Sequence, residues 1–164
     1  ANLQAVENRD IDIAVTVITQ NQEVNQNIEY IKIGETDLLF SVDKSHPLSR
    51  KTTITVEEIN DLPLILMNED TMQSKIIQDE FEKHDIIPNI QIRTNQLYTI
   101  KELLSFGNLG AFLFNQMIDE NDNIVGLPIN EGIKLDIIIA WNKNAYLSET
   151  AYEFIDFMKS KKIS

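Results

Sequence analysis

Cysteine is absent from this 164-residue chain, which excludes disulfides, thiol nucleophiles and thiolate metal sites and is compatible with a reducing cytoplasm. Cations are scarce too. Fourteen Lys and Arg stand against 26 Asp and Glu, a formal charge of -12, and they form no basic stripe. Nucleic-acid affinity rests on clustered Lys and Arg that neutralise phosphates, so DNA contact by this chain alone is not expected. No apolar run approaches the roughly 20 residues of a membrane-crossing helix, and no membrane partner is expected. Only two histidines occur: His46 precedes a proline in a turn and His84 closes a helix. Neither has a carboxylate or hydroxyl partner at a motif-like spacing, so surface or capping roles suit both, and no zinc-like, nucleophile-elbow or triad pattern is present. The clustered acids Glu57 with Glu58, and Asp119, Glu120 and Asp122, fall in caps and loops. Acid/base catalysis has no visible carrier; no enzyme activity, catalytic residue, metal or cofactor is expected. Gly107 and Gly110 follow a helix instead of feeding one, which reads as a C-cap and not a phosphate cradle.

What is present is a soluble globular composition, 43% hydrophobic and 24% charged, enough for one ordinary domain or two small lobes sharing a cleft. The stretch 28–48 is too long and too β-rich for a common strand of about 5–6 residues. It reads as two strands in tandem, broken by the polar residues 34–37. If the two belong to different sheets, the break is a crossing from one lobe to another, and 124–141 is the return, with its own crossing near 126–129.

Around these crossings the chain alternates. Residues 3–8 look like the last turns of a helix and 11–18 like a buried strand. Thr55-Val-Glu-Glu58 has the capping-box form, and Pro63 opens a strand over 64–67. A helix over 74–84 follows, capped by Asp70 or Thr71, with Ile77 and Phe81 as an inward i, i+4 pair. Next come a strand over 90–94, a helix over 96–106 capped by Thr94 or Asn95 and ended by Gly107, and a buried strand over 110–114. Strand, helix, strand, helix, strand with short connections indicates a small parallel-type α/β lobe. Ser148 caps a final helix with the apolar stripe Ala151, Phe154, Ile155 and Met158. The chain begins Ala-Asn-Leu-Gln instead of Met, without a signal peptide, which suggests a processed form or a fragment.

The order Asp10-Ile-Asp-Ile-Ala-Val, Leu38-Leu-Phe-Ser-Val-Asp-Lys-Ser-His-Pro-Leu and Leu62-Pro-Leu-Ile-Leu resembles the effector-binding domain of LysR-type transcriptional regulators. Pro88-Asn-Ile with Thr94, Gly107-Asn-Leu-Gly-Ala-Phe, Val125-Gly-Leu-Pro-Ile and Ile139-Ala-Trp-Asn-Lys-Asn-Ala-Tyr-Leu-Ser extend the likeness over nearly the whole chain. The resemblance implies a two-lobed α/β fold of the type 2 periplasmic-binding-protein-like kind with two crossing strands. Lobe one (regulatory subdomain I) would hold residues 1–38 plus 128–164, truncated at its N-terminus, and lobe two (regulatory subdomain II) residues 39–127. It further implies a cytoplasmic regulator whose DNA contacts come through a missing N-terminal domain, and which pairs as a homodimer or higher homo-oligomer. A solute-binding protein or an enzyme on the same fold is the alternative.

The resemblance places a small-molecule effector in the interlobe cleft. In open α/β sheets ligands lie off the carboxyl ends of strands, and two helix starts follow such ends here. Their free amides and hydroxyls suit a small anion. The expected contacts are Thr71, Gln73 and Ser74 at one helix start, Thr94 and Asn95 at the other, and Thr16 from lobe one. Simple capping is the competing reading of both helix starts.

Overall fold

The computed structural model describes residues 2–161. In chain order the elements are α1 (Asn2–Glu7), β1 (Ile13–Thr19), β2 (Ile28–Asp43), β3 (Leu64–Leu66), α2 (Met72–Lys83), β4 (Ile90–Arg93), α3 (Leu97–Leu104), β5 (Gly110–Phe114), β6 (Ile124–Asn142) and α4 (Glu149–Lys159). The chain divides into two compact units. One holds the described residues up to Thr36 and those from Lys134 onward; the other holds Asp37–Ile133. The first changeover therefore falls within the span 34–37, and the second lies past Ile129.

One expectation about the long strands needs correction. Residues 28–43 form one 16-residue strand and not two in tandem; β6 is a single strand of 19 residues. The polar residues 34–37 include no proline, and Thr36 is buried, so nothing removes a ladder donor or forces a turn. In β6, Asn130 and Gly132 have left-handed φ of 53° and 99°, yet the strand runs on through them to Asn142. Since β2 and β6 are unbroken neighbours, the six strands share one hydrogen-bonded order, β1–β6–β2–β5–β3–β4.

In the first unit β1 lies antiparallel to the end of β6, from Ile13 opposite Trp141 to Thr19 opposite Leu135. Side chains alternate across a strand. Ile138 and Ala140 accordingly face Val6, Ala14, Ile18 and Ile28, while Ile139 faces Ile33, Leu147, Ala151 and Ile155. Helices α1 and α4 cover these two faces, and Ser148 caps α4 by accepting from the Ala151 N–H at 3.2 Å. Phe154, expected in the inward stripe, is 40% exposed.

In the second unit β5 runs parallel to β3, β3 parallel to β4, and β2 antiparallel to β5 from Leu38 opposite Phe114 to Ser41 opposite Ala111. Ala111 and Leu113 pack with Ile100 and Leu104 of α3. On the other face Phe112 meets Phe40 and Phe81 edge-on, with centroids 5.6 and 6.4 Å away. Helices α2 and α3 thus sit on opposite sides of β5. Thr55 and Glu58 make the reciprocal capping box, with the Thr55 N–H donating to Glu58 Oε1 at 3.2 Å and the Glu58 N–H to Thr55 Oγ1 at 3.3 Å.

Candidate functional site

Parallel pairing of β3, β4 and β5 puts their carboxyl ends on one side of the second unit. Two of these ends are locked together: Leu66 lies opposite Arg93, and the Thr94 N–H donates to Leu66 O at 3.0 Å. The loops that follow are tied as well, the Asn68 N–H donating to Asn95 Oδ1 at 2.8 Å.

Thr71 is the cap of α2. Its Oγ1 accepts from the Ser74 N–H at 3.2 Å and donates to Asn68 O at 2.7 Å. This satisfies one orphan amide of the first turn, so α2 begins at Met72, two residues before the expected start. The start of α3 differs from expectation too. Asn95 spends its carbonyl on Asn68, Thr94 Oγ1 accepts from the Gln96 N–H at 3.1 Å, and Gln96 at the cap position makes no side-chain cap bond. The first amides of α3 are consequently less satisfied by the protein than those of α2.

The six expected contact residues divide by surroundings. Thr71 and Thr94 are partly exposed and Asn95 is exposed. Gln73 and Ser74 are 3% and 0% exposed. Gln73 Nε2 donates to Phe112 O at 2.8 Å, and its Oε1 accepts from the Met67 N–H at 3.4 Å. The Gln73 amide thus braces α2 against β5 and the end of β3. Thr16 belongs to the first unit, on β1 opposite Ile138 and partly buried.

Sequence reading passed over Arg93. Its Nη1 donates to Met67 O at 2.8 Å and to Ser74 Oγ at 3.0 Å, and its Nε lies 3.8 Å from Glu69 Oε1. One guanidinium therefore joins β3, β4 and the first turn of α2. The available signal was its rarity, a cation closing a strand in a chain of net charge -12.

Neither histidine takes part here. His46 Nδ1 accepts from the Leu48 N–H at 3.1 Å and caps the turn Pro47–Arg50; burial pushes its pKa down, against the pull of Asp43. His84 does find a carboxylate across space, Nδ1 lying 2.8 Å from Glu57 Oε1. Among the described residues no group of His, Cys, Asp and Glu is arranged to hold a metal, and no helix is long and apolar enough to cross a membrane. The arrangement at the carboxyl ends can donate amide, hydroxyl and guanidinium hydrogens, which is chemistry for holding an anion.

Comparison with known proteins gives a consistent family. The profile of the LysR substrate binding domain matches residues 1–162. A probable RuBisCO transcriptional regulator of Phaeodactylum tricornutum is 27% identical over 154 residues, covering 90% of this chain and 50% of that protein. The malolactic fermentation system transcriptional activator of Lactococcus lactis is 25% identical, covering 82% and 47%. The chain thus spans about half the length of the curated relatives it matches. Among solved structures, the regulatory domain of Synechocystis CcmR in complex with 2-PG superposes with a TM-score of 0.79 at 18% identity, over 96% of this chain and 76% of that one. The effector binding domain of QuiR in complex with shikimate gives 0.75 at 20%, over 99% and 78%. These likenesses carry the fold, that of LysR effector-binding domains with the type 2 periplasmic-binding-protein-like architecture.

Proposed function

Because the chain belongs to the LysR substrate binding domain family, we propose that it senses a small anionic metabolite at the carboxyl ends of β3 and β4. The observation that carries this reading is the convergence of two helix starts, Thr71, Thr94, Asn95 and the Arg93 guanidinium on one end of the second unit. A helix start favours negative charge by about 0.3–1 kcal/mol when exposed and more when partly buried. Gln73 and Ser74 hold this end in shape from within. The structural neighbours point in the same direction, since 2-PG bound to CcmR and shikimate bound to QuiR are small polar ligands.

In this reading the two units are regulatory subdomains I and II of a cytoplasmic transcriptional regulator, with DNA contacted by a part of the protein outside this chain. The charge of -12 supports leaving DNA to another part. Self-association is part of the proposal: Tyr152, Phe154 and Phe157 of α4 are 53%, 40% and 53% exposed, an apolar surface suited to a second copy. No catalytic role is assigned to any residue.

Calorimetric titration of the chain with 2-PG, shikimate and inorganic phosphate tests the reading, with Thr71→Ala and Asn95→Ala alongside. Saturable binding of at least one anion, weakened by both substitutions, is expected. Thr71→Ala also removes a cap and costs about 1 kcal/mol of stability. Loss of stability with unchanged affinity would reduce Thr71 to a cap, and the absence of any anion binding would overturn the proposal.

A further inference from the structure

We propose that Glu69 is an internal counter-ion of Arg93, which an anionic effector displaces, so that Arg93 reads the effector's charge. The inference rests on the effector reading above and adds the residue and the competition that govern it. Arg93 is held in a fixed plane by two neutral acceptors, Met67 O and Ser74 Oγ, both of which take hydrogens from Nη1. A guanidinium carries five N–H donors in a rigid fork, and the Nε and Nη2 edge is the one left to pair with a planar anion side-on.

Along that edge stands Glu69. Its carboxylate lies 3.8 Å from Nε, and the two side chains are 24% and 81% exposed for Arg93 and Glu69. At that distance the contact is Coulombic and not a hydrogen bond, and a carboxylate so exposed is held weakly. Among the described residues Glu69 is the only acid paired with Arg93. Glu69 also sits in the Asn68–Thr71 turn, whose far end is the cap of α2. An anion that takes the fork thus removes the one tether between this turn's acid and β4, while the ties to Met67 and Ser74 stay in place. The competition selects for ligands with a full negative charge, since a neutral acceptor gains less from the guanidinium than an anion does and is a poorer match for the Glu69 carboxylate it must displace.

The test uses inorganic phosphate as probe, titrated at low ionic strength into the chain and into Glu69→Gln, Asp70→Asn and Arg93→Gln. Removing the competitor should tighten phosphate binding about 2- to 5-fold, the range of an exposed ion pair. Arg93→Gln should weaken it by on the order of 10-fold or more. Asp70→Asn removes the same charge from the same turn without touching the pair, so its gain should be smaller than that of Glu69→Gln. In the double variant Glu69→Gln, Arg93→Gln the gain should vanish, as a coupled pair requires. Equal gains from Glu69→Gln and Asp70→Asn would overturn the inference, as would a gain that persists without Arg93. Because Glu69→Gln and Asp70→Asn leave the Arg93 hydrogen bonds intact, these two variants decide the matter even if Arg93→Gln does not fold. Wild-type chain that binds neither phosphate nor 2-PG would instead remove the site reading itself, and the inference with it.

Discussion

Replacing Gln73 by leucine separates a brace from a ligand contact. The residue is 3% exposed, and its amide serves two backbone groups, the Phe112 carbonyl in the middle of β5 at 2.8 Å and the Met67 N–H just past β3 at 3.4 Å. Leucine fills nearly the same volume, so little cavity forms, but it leaves one buried acceptor and one donor without their partner. Each such orphan costs about 1–3 kcal/mol. The longer Met67 contact belongs at the low end, about 1 kcal/mol, and the added apolar burial returns about 1 kcal/mol, for a net loss of about 1–3 kcal/mol. With a urea slope of about 2 kcal/mol per molar, the unfolding midpoint should drop by roughly 0.5–1.5 M. Phosphate affinity of the folded variant should stay within about twofold of wild type, since Gln73 is almost wholly buried. A variant as stable as wild type that no longer binds anions would refute the reasoning and make Gln73 a direct contact.

Acid should destabilise the chain in two steps. His46 has its folded pKa lowered from 6.5 by burial, so as pH falls below about 6.5 the unfolded state takes up the proton first and stability drops. Asp43 has its folded pKa lowered from 3.8, chiefly by the Ser45 hydroxyl, then by the Ser45 N–H and Asn123. Its contribution is present above about 3.8 and is lost as pH falls through the lower folded value, so Asp43→Asn should flatten that acid limb in urea titrations at several pH values. Gly110→Ala should be the costlier of two glycine substitutions. Its Cβ would lie 2.5 Å from Phe40 Cε1 and 2.8 Å from Leu62 Cδ2, and the fully buried Phe40 ring, packed against Phe112, has nowhere to go. Overpacking of this kind costs about 1–3 kcal/mol. Gly126→Ala meets mainly the ends of Leu39 and Ile118 at 2.8 and 2.9 Å, which can swing aside, and equal midpoints for the two variants would contradict this ranking.

The parts of the fold legible in the sequence are those decided within a few residues. Thr71, Ser148 and the Thr55–Glu58 box cap as their spacing indicates, and Gly107 has the left-handed φ of 87° that a helix end requires. Strand continuity was not legible, because a polar residue ends a strand only if no neighbour pairs with it. Residues 34–37 stay in β2 since strands flank β2 on both sides, and local polarity carries no word of those neighbours. Phe154 shows the limit of periodicity. At 100° per residue, Ala151, Ile155 and Met158 cluster within one narrow stripe, whereas Phe154 falls about 60° to one side of Ala151, where α4 meets solvent.

At the candidate site the same arithmetic tells which side chains are carried inward. Gln73, Ile77 and Phe81 are spaced i, i+4, i+8, so a helix that buries Ile77 and Phe81 must also carry Gln73 to the core. Polarity suggested a ligand contact; position on the helix puts the amide beside the Phe112 carbonyl and the Met67 N–H. Arg93 lay beyond such reasoning. Its partners are 26 and 19 residues away in sequence, and only the pairing of β3 with β4 brings them within reach. Its charge stands beside Glu69 and, one residue further, Asp70, in a chain already at -12. An anion approaching this end is therefore repelled by the turn until it reaches the guanidinium. Affinity here depends less on the helix starts, whose field fades within about one turn, than on whether the ligand can take Glu69's place.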